Sequence, residues 1–277
     1  MSHLMIIADL HGKKQVALER GLALAQKLDC KVTVAGFCYE SLGSQGINDK
    51  KKQEQIKKKL LAVRKREVLE QVRKLKPDRL KVDTQIIWEK SVHTWVIKRC
   101  GKSSYSAVIK TGHRSEYFAY TSTDWQLLRE CPAPVMIVAE RRWRNTRPLL
   151  ATLDLSSKSQ KKKQLNKKVL ETAKAYSEAL DCELYVLNAI HLSPLLTELD
   201  LIDEYTHTQK IKQDLAKTVK RLSAEYDIPE KNFRLKQGPA AKVITSEAAR
   251  LKAQLVVMGT VARTGVRAKL IGNTAEQ

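Results

Sequence analysis

Two periods alternate along this chain, and the alternation runs through the same order twice. In the first half, the apolar or β-rich runs Met5–Ala8, Lys31–Phe37, Leu80–Ile87, Ala107–Ile109 and Val135–Val138 read as strands. Between them, Gln15–Lys27, Lys50–Lys74, Val92–Cys100 and Asp124–Glu130 carry apolar residues at helical spacing. The second half offers strands at Leu149–Leu153, Glu183–Ala189, Asn232–Lys236 and Leu255–Met258. Its helices fall at Lys167–Ala179, Thr208–Tyr226 and Ala240–Arg250. Strands joined through helices imply right-handed crossovers and a parallel sheet covered on both faces. A continuous apolar strand such as Leu255-Val256-Val257-Met258 fits burial on both sides.

Landmarks repeat in order. Met5-Ile6-Ile7-Ala8-Asp9 returns as Leu149-Leu150-Ala151-Thr152-Leu153-Asp154, and Leu28-Asp29-Cys30 returns as Leu180-Asp181-Cys182. Tyr105–Lys110 matches Ala253–Gly259 in the same way. Repetition at about half the chain argues for duplication of a whole α/β unit rather than a solenoid. The expected fold class is therefore α/β, with two tandem doubly wound, Rossmann-like domains and a mainly parallel five-stranded sheet in each. The domains span 1–140 and 148–277, joined by a short linker across Glu140–Arg147. Set against its own repeat, the second domain lacks the last helix and strand, because Gly272–Gln277 falls where that helix should begin.

Composition narrows the class. The chain has 277 residues, 43% of them hydrophobic, which is enough for packed cores. No apolar run reaches the roughly 18 residues of a membrane span, and Leu4–Ala8 meets Asp9 without a signal-peptide pattern. Cys30, Cys38, Cys100, Cys131 and Cys182 form no C-x-x-C pair, so a reducing, cytoplasmic setting is expected. The net charge of +21 would draw polyanions. The lysine runs at 50–52 and 57–59, however, share a stretch whose apolar face is Ile56, Leu60, Leu61, Val63, Val68, Leu69 and Val72. A solvated helix face explains them better than nucleic-acid contact, and aromatics, at 5%, do not interleave with them. Lysines 161–163 and 167–168 form a further basic cluster.

Catalytic signals are sparse. The six histidines form no H-x-x-x-H pair, and neither a nucleophile elbow nor a Walker lysine is present, so no enzymatic role is expected. The most chemical segment is Val257-Met258-Gly259-Thr260-Val261-Ala262-Arg263-Thr264-Gly265, running on to Gly272-Asn273-Thr274. A buried strand ending in a glycine loop and then a helix start makes an anion seat, since unpaired N–H groups and the helix dipole both favour negative charge. Asp154, at its own strand end, would share that rim.

These residues resemble the universal stress protein family, and the duplicated layout looks like its tandem-domain, type E members over nearly the whole chain. The nucleotide-binding branch of that family carries Gly, two residues, Gly, nine residues, Gly, then Ser or Thr. Gly259 and Gly272 match the first and third glycines, whereas Ala262 replaces the second and Asn273 the Ser/Thr, with Thr274 one later. The resemblance implies an ATP or other adenine-nucleotide site, with magnesium, in the second domain. Asp154 would contact ribose or base, Ala189 and Met258 would lie near the adenine, and Gly259, Gly272, Asn273 and Thr274 would hold the phosphates. In the first domain Lys110 aligns with Gly259, Thr121 replaces the third glycine, and Asp124 would compete with phosphate, so no nucleotide site is expected there.

The reading implied is a non-enzymatic stress-response binding or regulatory module, a pseudo-dimer within one chain that is monomeric or homodimeric. Alternatives are a degenerate scaffold for another small or apolar ligand or a protein partner, and a polyanion binder using its lysine clusters.

Overall fold

The computed structural model describes residues 2–10, 14–112, 123–140, 146–192 and 203–260. The chain divides into two compact units, Met1–Arg142 and Trp143–Gln277. The first contains β1 (His3–Ile7), α1 (Val16–Lys27), β2 (Lys31–Cys38), α2 (Lys50–Leu75), β3 (Val82–Trp88), α3 (Val92–Lys102), β4 (Ala107–Thr111), α4 (Thr123–Glu130) and β5 (Val135–Val138). Its five strands lie in the order β3-β2-β1-β4-β5, all parallel. The second unit contains β6 (Leu149–Leu153), α5 (Gln160–Ala179), β7 (Leu184–Ile190), α6 (Glu204–Tyr226), β8 (Phe233–Gln237), α7 (Ala240–Leu251) and β9 (Leu255–Met258). Among its described residues the sheet has four parallel strands in the order β8-β7-β6-β9. The doubly wound α/β architecture inferred from the alternating periods is the one observed.

The repeated Leu-Asp-Cys landmark marks a helix stop. Asp29 (φ 46°) and Asp181 (φ 49°) both turn left-handed, a conformation that aspartate tolerates better than most residues. The next residue then closes the helix: Cys30 N–H donates to Ala25 O at 3.1 Å, and Cys182 N–H to Ser177 O at 3.0 Å. This six-to-one bond satisfies an end carbonyl and aims the chain into the following strand. Both cysteines are free thiols packed at that corner.

The first unit's core gathers Met5, Ile7, Phe37, Val96, Val108 and Leu127 between the sheet and helices α3 and α4. Trp95 meets Phe37 edge-on at 5.5 Å, so it belongs to packing rather than to a binding cage. On α2, Val68 and Val72 are buried, whereas Val63 and Leu69 are exposed, so the apolar face is narrower than the sequence suggests. Lysines 50–52, 58 and 59 of this helix are exposed. The unexpected buried residue on α2 is Arg64. In the second unit, α5 starts at Gln160 rather than Lys167, which takes the lysines at 161–163 into the helix. No helix among the described residues is long and apolar enough to cross a membrane.

Candidate functional site

Each sheet has a point where the strand order turns back, between β1 and β4 in the first unit and between β6 and β9 in the second. Crevices beyond the carboxyl ends of such strands are where open α/β sheets take ligands. Pairing registers allow the two rims to be superposed. Leu4 pairs with Ala107 and Ile6 with Ile109, while Leu149 pairs with Leu255 and Ala151 with Val257. With Asp9 equivalent to Asp154, Gly259 therefore corresponds to Thr111. The sequence alignment sets it against Lys110, and the strand register corrects that by one position.

The first rim is closed by its own side chains. Asp9 is buried, and its Oδ2 accepts a hydrogen bond from the Thr111 hydroxyl at 2.8 Å. The Thr111 oxygen in turn accepts from Ala17 N–H at 3.0 Å, occupying a donor in the first turn of α1 that an anion would need. Gln15 clamps the Asp9 backbone, its Oε1 accepting from Asp9 N–H at 3.1 Å and its Nε2 donating to Asp9 O at 3.4 Å. From α2, the buried Arg64 guanidinium donates to the carbonyls of Asp9 (2.7 Å), Ala8 (3.4 Å) and Leu10 (3.4 Å). Lys110 and Asp124 close the opposite side as a nearly buried ion pair at 2.6 Å.

The second rim is built on the same frame with different contents. Asn166 of α5 clamps the backbone of Asp154 as Gln15 clamps Asp9, accepting at 3.0 Å and donating at 2.8 Å. The Asp154 carboxylate stays at the surface, its side chain 47% exposed and paired with Lys162 at 2.7 Å. Where the first unit has the Thr111 hydroxyl, Gly259 has no side chain. A Cβ there would lie 2.7 Å from Leu165 Cδ2 of α5, so this glycine permits a close helix approach. Asn188 pairs with Leu153, making it the counterpart of Gly36. Its Oδ1 accepts from Leu155 N–H at 2.8 Å, while its Nδ2 is buried with no hydrogen-bond partner among the described residues.

Of the site residues named from the sequence, Asp154, Ala189, Met258 and Gly259 come together at the ends of three adjacent strands. Met258 pairs with Thr152, and Asn188, next to Ala189, pairs with Leu153. Gly272, Asn273 and Thr274 lie outside the described residues, as does Ala262. Sequence reasoning missed Gln15, Arg64, Thr111, Asn166 and Asn188, whose roles depend on pairing across the fold. Among the described residues no group of three or more His, Cys, Asp or Glu is arranged to hold a metal ion.

Elsewhere, Glu247 and the Cys100–Cys131 pair depart from their ordinary titration. Glu247 on α7 is buried against Arg250 (2.5 Å) and Arg234 (3.8 Å), and the Arg250 hydrogen bonds hold its carboxyl below the usual range despite burial. The Cys131 thiol is lowered by a hydrogen bond from Cys100, whose own thiol is raised by the same contact.

The fold is that of two tandem doubly wound α/β units, and comparison with known proteins says to which family they belong. The model of the universal stress protein family matches residues 1–139 and 154–277, and the chain belongs to that family. It is similar to universal stress protein E of Salmonella typhi, 27% identical over 99% of this chain and 90% of that protein. The universal stress protein E homolog of Haemophilus influenzae is 25% identical over 99% and 92%, respectively. A crystal structure of a functionally unknown protein from Pseudomonas aeruginosa PAO1 shares the fold with a TM-score of 0.71, at 22% identity, over 99% of this chain and 87% of that one.

Proposed function

We propose that the protein is a non-enzymatic stress-response binding module whose nucleotide site, for ATP with magnesium or another adenine nucleotide, is confined to the second unit. The observation that carries this reading is the register pair Thr111 and Gly259. In the first unit the threonine hydroxyl ties Asp9 to α1 and takes an amide that a phosphate would use. In the second unit glycine stands in that place, and Asp154 remains at the surface. Asp154 would meet the ribose or base, Ala189 and Met258 the adenine, and Gly259, Gly272, Asn273 and Thr274 the phosphates. Lys162 would then exchange its partner, moving from Asp154 toward phosphate oxygens. Membership of a family named for stress supports the regulatory role, and a cytoplasmic location suits the five free thiols.

Native mass spectrometry of the purified chain, with and without MgATP, tests the proposal. One added nucleotide per chain is expected, abolished by Gly272→Asp with the fold intact. Binding that survives Gly272→Asp, or two nucleotides per chain, contradicts the site.

A further inference from the structure

Among the described residues, two of the five cysteines share a hydrogen bond, and both lie in the first unit, away from its strand ends. Cys100 sits on α3 and is buried, whereas Cys131 stands just after α4 and is partly exposed. The helical layer over one face of the first sheet brings them together. Cys100 belongs to the core of that layer with Val96, Tyr105 and Leu127, and Cys131 packs against the same core. The backbone at Cys131 is fixed from both sides. Its N–H donates to Leu127 O at 3.0 Å, which closes α4, and Pro132 and Pro134 stiffen the short path to β5. The second unit has no counterpart, because α7 carries no cysteine and Cys182, in the turn before β7, is the only one after Cys131.

Hydrogen bonding and burial give the two sulfurs different roles. The Cys100 thiol donates to the Cys131 sulfur, and Ala133 N–H donates to it as well. Both bonds favour a thiolate at Cys131 and hold its titration below the ordinary range against the effect of burial. The same contact, together with burial, pushes the Cys100 thiol up. These donors touch the sulfur directly and so act at shorter range than the carbonyl end of α4, a helix of only eight residues. Cys30 and Cys38 differ, since burial raises both of their thiols. Cys131 therefore combines thiolate character, partial exposure and an adjacent thiol. That is the arrangement in which an oxidised sulfur is captured as a disulfide instead of being oxidised further.

We propose that Cys131 and Cys100 form an oxidisable pair that reacts with hydroperoxides, Cys131 as the attacking sulfur and Cys100 as the resolving one. The Cys131 thiolate attacks the terminal oxygen of the hydroperoxide, and an S–O bond forms as the O–O bond breaks. The departing alkoxide takes a proton from water and leaves as the alcohol, or as water when the oxidant is hydrogen peroxide. The Cys100 sulfur then attacks the sulfenic sulfur of Cys131, and its thiol proton goes to the departing hydroxide, which leaves as water. Two thiols and one hydroperoxide thus give one disulfide, one alcohol and one water. The product joins α3 to the end of α4 and uses no residue of either strand-end rim, so it stands apart from the nucleotide reading.

Treating the full chain with a few equivalents of hydrogen peroxide near neutral pH, blocking the remaining thiols and mapping peptides by mass spectrometry tests this. The expected product is a linked pair of peptides containing Cys100 and Cys131, absent after dithiothreitol, with Cys30, Cys38 and Cys182 still free. Cys131 should be consumed about tenfold or more faster than Cys30 or Cys38, following its larger thiolate fraction. In Cys100→Ala, oxidation at Cys131 should be slower and should stop at a sulfenic acid that dimedone captures. In Cys131→Ala, Cys100 should stay reduced. The map of the unaltered chain needs no substitution, so it decides alone if either variant does not fold. No link between Cys100 and Cys131, a link from Cys131 to another cysteine, or oxidation that starts at Cys30 or Cys38 would each overturn the proposal.

Discussion

The two units share a frame and differ in what fills it. Each ends its first strand in an aspartate whose backbone is clamped by a helix amide side chain, Gln15 in one and Asn166 in the other. The first unit continues inward: Thr111, Arg64 and the Lys110–Asp124 pair convert the rim into interior. The second unit leaves its aspartate half in water, sets a glycine where the threonine stood, and keeps a wide cationic cleft beside it. The first copy thus fills its strand-end crevice with its own side chains, whereas the second leaves its aspartate half exposed. A residue that anchors the first unit should therefore matter for folding, whereas its counterpart in the second should matter for binding.

The largest expected effect is at Arg64. Arg64→Met leaves three loop carbonyls without their donor and should destabilise the first unit by about 2–4 kcal/mol in urea unfolding. An unchanged unfolding midpoint would refute the anchoring role. Next is Glu247, the second unit's own buried ionic anchor. Its folded carboxyl titrates below the ordinary value of 4.5, so its contribution is fully present above that pH and is lost as pH falls through the lower, folded value. Glu247→Gln should cost about 1–3 kcal/mol at neutral pH and flatten the acid limb of a thermal melt. A wild-type acid limb in that variant would contradict this.

The sharpest comparison is smaller. Asp9→Asn should cost about 1–2 kcal/mol by weakening a buried charge-assisted bond to Thr111, while Asp154→Asn should cost under about 0.5 kcal/mol, because its partner Lys162 is a surface lysine. Equal costs would mean that the two rims are not different in kind. The smallest effect is chemical. Because Cys100 stabilises the Cys131 thiolate, Cys131 should be the first thiol alkylated by iodoacetamide near neutral pH, and Cys100→Ala should slow it. Labelling that starts at Cys30 would exclude this.

Much of the frame was legible because it rests on periodicity. The strand runs, the helical spacings and the repeated Leu-Asp-Cys stop all depend on local backbone preferences. The candidate site was legible only at strand ends: the positions of Asp154, Met258 and Gly259 follow from where apolar runs stop. What escaped depends on pairing between distant segments. Arg64 hid in a lysine-rich helix, although its position four residues before Val68 and eight before Val72 puts it on the buried row. The equivalence of Thr111 and Gly259, where the sequence alignment had set Lys110, rests on the register of β4 on β1 and of β9 on β6. Asn188 looked like one more residue in an apolar strand until its partner, Leu155, was brought alongside.

The central claim, that only the second unit retains an open rim, is tested most directly by amide chemical-shift mapping during titration with MgATP. Saturable shifts at Asp154, Ala189, Met258 and Gly259, with Asp9, Ala17 and Thr111 unmoved, are the predicted result. Saturable shifts at Asp9 and Thr111, or none in either unit, would contradict it.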